Sequence, residues 1–259
     1  MNDKPASNPQ RLDQIETQWS LLRLAHEPVS VGNVAARQRV LLKYNKAIRS
    51  YVGALMQDDN SADEVSQDIL VRLLQGNFAG ADPARGRFRD FLKVAVRNIV
   101  RTFWSQKQRR GMQSLDELQI SDREDDLQAA EPDAAWRATI LDLAMRRLEQ
   151  FERSHSGCHY HTILRMRTDY PDVSSAELAD LLSRRQGKPV TAEVARQQLR
   201  RGRLRFAQIL IEEIAASLNS PNPDTVEQEL IDLGLMEIVR PFLPDNWRAS
   251  GELCEPADE

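Results

Sequence analysis

Apolar residues along this chain recur mostly at intervals of three and four, which is the spacing of one face of an α-helix. Such repeats include Leu12, Ile15, Trp19 and Leu22, and later Leu41, Tyr44, Ile48, Tyr51 and Leu55. Few segments alternate apolar and polar residues as a half-buried strand does. The pattern therefore predicts an all-α protein.

Changes in composition divide the predicted helices into two small domains. A first helical block covers residues 11–111, and a second covers residues 134–219. Between them, residues 112–133 carry eight acidic side chains against the single cation Arg123. Such a surplus of one charge predicts an acidic, flexible linker that remains in solvent.

The two ends of the chain differ from the helical blocks. Residues 1–10 are polar and predict a disordered N-terminus, without the apolar core of a signal peptide. Residues 220–259 form an acidic C-terminal extension with one more helical repeat, at Val226, Leu230, Leu233 and Ile238. No apolar run reaches the roughly 20 residues of a spanning helix. We therefore expect a cytoplasmic protein that does not insert into membranes.

The segment from Ser61 to Leu74 predicts an amphipathic helix with an unusual outward face. A rotation of about 100° per residue gives one apolar stripe, formed by Ala62, Val65, Ile69 and Leu73. The opposite side carries Asp63, Glu64, Gln67 and Asp68, with Leu70, Val71 and Leu74 among them. Carboxylates mixed with exposed apolar side chains suit a protein partner of positive charge. An ordinary solvated helix face is the alternative.

A strongly basic helix is predicted after the turn at residues 82–86. From Arg85 to Arg110 the chain has nine cations and the single anion Asp90. The predicted buried stripe comprises Phe88, Phe91, Leu92, Ala95, Ile99 and Phe103. What we name the basic stripe comprises Arg89, Lys93, Arg97 and Arg101, with Trp104 among them. Because cations neutralise phosphates and an indole stacks on an unpaired base, this face predicts nucleic-acid contact, with a solvated face and a packed Trp as the alternative.

Two helices of the second block have the spacing of a helix-turn-helix. Ser174 and Glu177 form a capping-box pattern before an apolar face of Leu178, Leu181 and Leu182. After a turn with Gly187 and Pro189, Thr191 is the predicted N-cap of a longer helix. Its predicted inner face comprises Ala195, Leu199, Gly202, Phe206 and Ile209. Its predicted outward face comprises Glu193, Arg196, Gln197, Arg200 and Arg203.

The outward face of the longer helix has side chains that can read DNA. In a helix-turn-helix, residues near the start of the second helix reach base edges in the major groove. Arg bridges two acceptors of guanine, and Gln pairs with adenine. The pattern therefore predicts sequence-specific binding to a duplex, although many two-helix patterns in helical proteins bind no DNA.

In this order, the segments resemble the sigma factors of bacterial RNA polymerase, in particular the two-domain extracytoplasmic-function type. Ala62–Gln67 is similar to the family's segment that docks on the clamp helices of the largest polymerase subunit. Gly86–Leu92 and Arg97–Asn98 are similar to the segment that melts and reads the minus-ten promoter element. Ser175–Leu182 and Val194–Phe206 are similar to the reader of the minus-thirty-five element.

The resemblance implies a protein without enzymatic activity, cofactor or metal, which brings core RNA polymerase to promoter DNA. It implies polymerase contacts at Asp63, Glu64, Gln67, Asp68, Leu70 and Val71. It implies minus-ten contacts at Arg87, Arg89, Lys93, Arg97, Asn98, Arg101 and Trp104. It implies minus-thirty-five contacts at Glu193, Arg196, Gln197, Arg200, Arg201 and Arg203. An anti-sigma factor or another regulatory protein would be a further partner.

Three features depart from the family pattern. The turn at residues 183–189 is longer than usual, which leaves the angle of the second helix open. Gly202 stands where the family usually has Ala, and a glycine within a helix costs up to about 1 kcal/mol relative to Ala. The extension after Pro221 exceeds the minimal architecture and suggests a regulatory role.

Other classes of function compete with this interpretation. A zinc site could use the crowded donors His155, Cys158, His159 and His161, but a structural zinc site needs four well-placed donors and the segment is also typical of an interhelical loop. No Ser or Cys nucleophile lies near an identifiable base in the sequence. A helix-turn-helix regulator that never joins polymerase would not need the acidic helix. A sigma-like decoy would keep the docking face while its basic face became idle.

Overall fold

The computed structural model describes residues 44–56, 58–75, 87–111 and 132–243, together with Trp247. Every regular element in these ranges is helical, which confirms the all-α prediction for this part of the chain. Several predicted features lie outside the described residues: the N-terminus at 1–10, the repeat from Leu12 to Leu22, the turn at 82–86 and the linker residues 112–131.

The helices are numbered here in chain order. Helix α1 is the helical run at residues 44–55, followed by α2 at Asp59–Gln75, α3 at Phe88–Gly111 and α4 at Pro132–Ser154. Next come α5 at Tyr160–Asp169, α6 at Ser175–Gln186 and α7 at Ala192–Ala216. The extension contributes α8 at Pro223–Asp232, α9 at Met236–Val239 and a 3₁₀ turn at Arg240–Phe242.

The contacts divide the chain into two compact units. Among the described residues, the first unit comprises those between 44 and 139 together with 216–221, and the second comprises 140–215 and those from 222 to 247. The division falls within α4, whose residues 132–139 belong to the first unit. Asp133, which the sequence placed in the linker, lies in the first turn of this helix. Pro132 supplies a suitable helix start, because its φ is already helical and its missing N–H would have no partner there.

Aromatic packing joins the start of α4 to the core of the first unit. The ring of Trp136 stacks on that of Tyr44 in α1, with centroids 5.0 Å apart and planes 5° from parallel. Phe88 of α3 lies 5.1 Å from the Tyr44 ring and 6.1 Å from the Trp136 ring. All three side chains are buried. The first turns of α4 are therefore an integral part of this core, although the sequence assigned residues 134–139 to the second domain.

The second unit contains a core that α5, α6 and α7 share. Its buried members are Ile163, Leu178, Ala179, Leu182, Ala195 and Leu199. From Phe206 to Ala216, α7 is buried on all sides, including the carboxylates of Glu212 and Glu213. Arg147 of α4 pairs with both carboxylates, at 2.9 Å from Glu213 Oε1. Pairing of this kind is what allows charged side chains to be buried in a helical core.

The part of the C-terminal extension at residues 222–243 is folded. Asn222 caps α8 by accepting a hydrogen bond from the Thr225 N–H at 2.9 Å. Val226, Leu230 and Leu233 are buried, but the predicted single repeat does not continue to Ile238, which lies in a separate helix and is 40% exposed. Gly234 adopts a positive φ of 63°, so α9 begins in a new register. Leu235 and Val239 take the inward positions instead.

Candidate functional site

The predicted docking face of α2 points outward. Ala62, Val65, Ile69 and Leu73 are all buried, which confirms the predicted inner stripe. Asp63, Glu64 and Gln67 are exposed, Asp68 and Leu70 are half-buried, and Val71 is 46% exposed. The Leu74 side chain lies outside the described residues. The face therefore combines carboxylates with an apolar side chain in solvent.

Two carboxylates of this face form exposed ion pairs. Asp63 Oδ1 lies 3.3 Å from Arg49 Nη1 of α1, and Asp68 Oδ2 lies 2.9 Å from Arg72 Nη2. Pairs of this kind contribute about 0–1 kcal/mol, because both ions remain hydrated. A basic partner can therefore replace Arg49 or Arg72 at little cost.

The inner side of α3 differs from its prediction. Phe88, Leu92 and Ile99 are buried as expected, whereas Phe91, Ala95 and Phe103 are only half-buried. Val96 and Val100 are fully buried and were not predicted. On a helix, both valines lie within about 20° of Arg89, so the true inner side includes that arginine.

The basic stripe winds from the core to the surface. Arg89 is 5% exposed, so the prediction of an outward side chain there was wrong, and Lys93 is only 19% exposed. Arg97 is half-buried next to Tyr51, whose own burial raises its pKa. Asn98 and Arg101 are exposed, and Arg87 and Trp104 are half-buried. The face available to a large ligand is thus the C-terminal part of the stripe.

Asp133 holds the buried start of the stripe. Its Oδ1 accepts a hydrogen bond from Arg89 Nη1 at 2.7 Å and lies 2.5 Å from Lys93 Nζ. Asp90 is more distant, at 4.0 Å from Arg89 Nε and 3.8 Å from Lys93 Nζ. Sequence reasoning missed this contact, although Pro132 followed by an acid is a typical signal of a helix start.

Lys107 connects the exposed part of α3 with the start of α2. Its Nζ donates a hydrogen bond to Ser61 Oγ at 3.0 Å and lies 3.8 Å from Asp58 Oδ2. The hydrogen bond from the Ser61 hydroxyl lowers the pKa of Asp58. The same Nζ lies 5.2 Å from the centroid of the Trp104 ring. The indole therefore lies beside a cation that also contacts the first turn of α2.

Side-chain caps define the two helices predicted to read DNA. Ser174 accepts a hydrogen bond from the Glu177 N–H at 3.2 Å, and Glu177 accepts one from the Ser174 N–H at 2.7 Å. These bonds confirm the predicted capping box and lower the pKa of Glu177. Gly187 ends α6 with a φ of 68°. The Val194 N–H donates to Thr191 Oγ1 at 3.3 Å, so Thr191 caps α7 as predicted.

The lengthened turn between α6 and α7 is held by a hydroxyl. Ser183 Oγ accepts a hydrogen bond from the Val190 N–H at 2.8 Å and donates one to the Ala179 carbonyl at 2.8 Å. Val190 also packs against the core that α5, α6 and α7 share. The additional turn residues are thus accommodated without separating α7 from α6.

The two sides of α7 agree with their predicted environments. The inner residues Ala195, Leu199, Gly202, Phe206 and Ile209 are buried. The outer residues Glu193, Arg196, Gln197, Arg200 and Arg203 are exposed, and Arg201 is half-buried. Glu193 forms an ion pair with Arg196. This face therefore offers several cations and one amide in solvent.

Gly202 has a packing role that the sequence did not indicate. A Cβ atom at this position would lie 3.2 Å from the Tyr160 carbonyl oxygen and 3.3 Å from Tyr160 Cα. The missing side chain therefore allows the first residue of α5 to approach α7 closely.

Hydrogen bonds fix parts of the loop after α4, which contains the predicted zinc donors His155, Cys158 and His159. His155 Nδ1 lies 2.9 Å from Ser154 Oγ and 2.8 Å from the Phe151 carbonyl oxygen. The His159 N–H donates to Gln198 Oε1 at 3.2 Å, and burial raises the pKa of Cys158. Among the described residues, no three His, Cys, Asp or Glu side chains are placed to hold a metal ion.

Within the described ranges, no helix combines the length and the apolar character needed to cross a bilayer.

Comparison of the chain with known proteins gave no match. No protein-family model matches the sequence. No curated protein and no solved structure matches it either. A functional assignment must therefore come from the residues themselves.

Proposed function

We propose that this chain is a sigma factor, which binds core RNA polymerase and directs it to promoters to start transcription. The observation that supports this proposal best is the exposure of two complementary kinds of surface in one chain. Carboxylates and an apolar residue face solvent on α2, whereas cations and an amide face solvent on α7. One surface suits a basic protein, and the other suits DNA.

The α2 face favours polymerase docking over a repressor that binds DNA alone. Asp63, Glu64, Gln67 and Asp68 would meet a basic surface of the polymerase, with Leu70 and Val71 adding apolar contact. A regulator that acts only on duplex DNA has no use for this face. The exposed Val71 is consistent with a partner, because isolated carboxylates would be enough to keep a helix soluble.

Promoter melting is assigned to the exposed end of α3. Asn98 and Arg101 face solvent, and Trp104 is half-buried with one side under Lys107. Stacking of an unpaired base on an aromatic ring contributes about 1–3 kcal/mol, which offsets part of the cost of removing that base from the duplex. Arg97, which remains partly accessible, would neutralise a phosphate near this part of α3, whereas Arg87 lies at the opposite end of the helix and would contact a phosphate about 25 Å away.

Recognition of the minus-thirty-five element is assigned to α7. Arg196, Gln197 and Arg200 are exposed within its first three turns, where a recognition helix reaches base edges. Glu193 and Arg203 lie on the same exposed side, and the half-buried Arg201 would contact the phosphate backbone of the DNA. The protein would catalyse no reaction itself, would need no cofactor and would act in the bacterial cytoplasm, where an anti-sigma protein is a further candidate partner.

The test is initiation by purified core polymerase on a genomic promoter library, with and without the chain. We expect the chain to produce transcripts from a defined subset of promoters. Asp63→Lys with Glu64→Lys should weaken core binding, because both carboxylates are exposed and their removal leaves the fold intact. The matched control is Asp232→Lys with Glu237→Lys, which also reverses two exposed carboxylates and should leave core binding unchanged. No gain of initiation at any promoter would refute the proposal.

A further inference from the structure

We propose that Arg89 and Lys93 form a phosphate site for the unpaired promoter strand, and that Asp133 fills this site in the free chain. The inference rests on the proposed function, since it concerns the helix assigned to promoter melting. It changes the role of these two cations from surface contacts to a covered anion site.

The site already holds an anion in the position a phosphate oxygen would take. Both cations converge on a single carboxylate oxygen, Asp133 Oδ1, at 2.7 Å from Arg89 Nη1 and 2.5 Å from Lys93 Nζ. Guanidinium and ammonium groups bind phosphate oxygens with this same geometry. The Asp133 carboxylate therefore acts as an intramolecular substitute for a phosphate.

A small, mostly apolar cavity lies next to the two cations. A cavity of about 20 Å³, the room of one water molecule, is lined by Arg89, Lys93, Tyr51 and Trp136, among others. Trp136 Nε1 is buried and finds no acceptor among the described residues. A cavity of this size has no room for a phosphate group, so the phosphate would have to take the position of the Asp133 carboxylate itself.

The Asp133 carboxylate covers the two cations from a part of the helix that can open. The Asp133 side chain is 48% exposed, whereas that of Arg89 is 6% exposed, so the anion closes the site from the solvent side. Asp133 lies in the first turn of α4, and helix ends open locally at low free-energy cost. Trp136, stacked on Tyr44 one turn later, keeps the rest of the helix in place.

The alternative is an ion pair that only stabilises the fold. In that case Asp133 would contribute to the melting temperature and would have no influence on nucleic-acid affinity beyond its unit charge. If Asp133 instead competes with phosphate, removing its charge frees two cations and adds two phosphate contacts, which changes how the affinity depends on salt. For a single strand, each contact steepens the slope of log affinity against log salt by about 0.7.

The experiment uses the full chain and a fluorescent oligothymidylate, with affinity measured by anisotropy between about 50 and 200 mM salt. Asp133→Asn removes the charge and retains an oxygen that accepts a hydrogen bond from Arg89. We expect binding several-fold tighter at the low-salt end and a slope steeper by about 1.4. The control Glu149→Gln removes one charge from the same helix, where Glu149 pairs with Arg153 at 2.6 Å. The affinity of this control variant should rise only slightly, because its net charge is less negative by one.

A double-mutant cycle tests whether the gain in affinity arises at this site. In a Lys93→Gln background, Asp133→Asn should lose much of its gain, because one of the two freed cations is gone. Equal affinities for Asp133→Asn and Glu149→Gln, or an undiminished gain in the Lys93→Gln background, would overturn the inference. The assay contains no polymerase, so it separates the two proposals. A gain in affinity with Asp133→Asn but no promoter-directed initiation would support the phosphate site and refute the sigma function.

Discussion

Helices α3 and α7 each carry a row of cations, yet only that of α7 lies fully in solvent. Arg196, Arg200 and Arg203 are all exposed. On α3, Arg89 is buried and Arg101 is exposed, at opposite ends of the same row. Charge alone therefore does not decide whether a basic row is a binding surface.

The spacing of each row explains the difference. Four residues turn an α-helix by about 400°, so each step of four drifts by about 40° around the axis. The α3 row takes three such steps and drifts by about 120°, which carries it from the core to the surface. The α7 row combines a step of four with a step of three, so its cations stay within about 60° of one another. A row that alternates its steps can remain on one face.

The largest expected effect contrasts the two rows in stability. Arg89→Ala should lower the free energy of unfolding by about 1–3 kcal/mol, because it removes a buried side chain and its ion pair with Asp133. Arg200→Ala should change it by less than about 0.5 kcal/mol, since that side chain is exposed. Urea unfolding followed by circular dichroism measures both. Similar losses for the two variants would contradict the buried position of Arg89.

A second contrast lies within the α7 row and concerns DNA affinity. Arg200→Ala should cost about 1–3 kcal/mol in binding to the cognate upstream element if it contacts a base. Arg196→Ala should cost less, because Arg196 must first give up its ion pair with Glu193. Competition binding with duplexes mutated at single positions measures both losses. A larger loss for Arg196→Ala than for Arg200→Ala would contradict this ranking of the two contacts.

A third contrast concerns the inner side of α7. Gly53→Ala in α1 should raise the free energy of unfolding by up to about 1 kcal/mol, since nothing lies within 4 Å of the added methyl group. Gly202→Ala should not raise the free energy of unfolding in this way, because its methyl group would lie 3.2 Å from the Tyr160 carbonyl oxygen. Thermal unfolding of the two variants tests the difference. Equal stabilisation would mean that α5 can move away from α7 freely.

The smallest expected effect concerns the acidic extension. Deleting it is a poor test of its charge, because Val226, Leu230 and Leu233 are buried. Neutralising three of its exposed carboxylates keeps that packing: Asp224→Asn, Asp232→Asn and Glu237→Gln. Duplex affinity should rise by a few-fold at low salt, and the gain should shrink as salt screens it. A gain that persists at high salt would indicate a direct contact rather than a long-range field.

Much of the fold was predictable because local signals agreed with tertiary packing. The capping box at Ser174, the N-cap at Thr191 and the inner stripe of α7 were all found from spacing. These features depend on neighbours three or four residues away, so the sequence contains them directly.

The contacts that sequence reasoning missed depend on distant residues. Asp133 pairs with Arg89, which is 44 residues away, and Trp136 stacks on Tyr44. Periodicity placed the inner side of α3 around its phenylalanines, but Val96 and Val100 show that the core also reaches Arg89. A helical wheel centred on those valines would have indicated a buried cation, and a buried cation requires an acid somewhere in the chain.

The most direct measurement follows closed and open promoter complexes formed by core polymerase with two variants. Arg200→Ala should weaken the closed complex, because α7 is assigned to the duplex. Trp104→Ala should leave the closed complex intact and reduce the permanganate reactivity of unpaired thymines, because the end of α3 is assigned to the melted strand. If both variants weakened closed-complex formation alike and left strand opening unchanged, the proposed division of labour between α3 and α7 would be wrong.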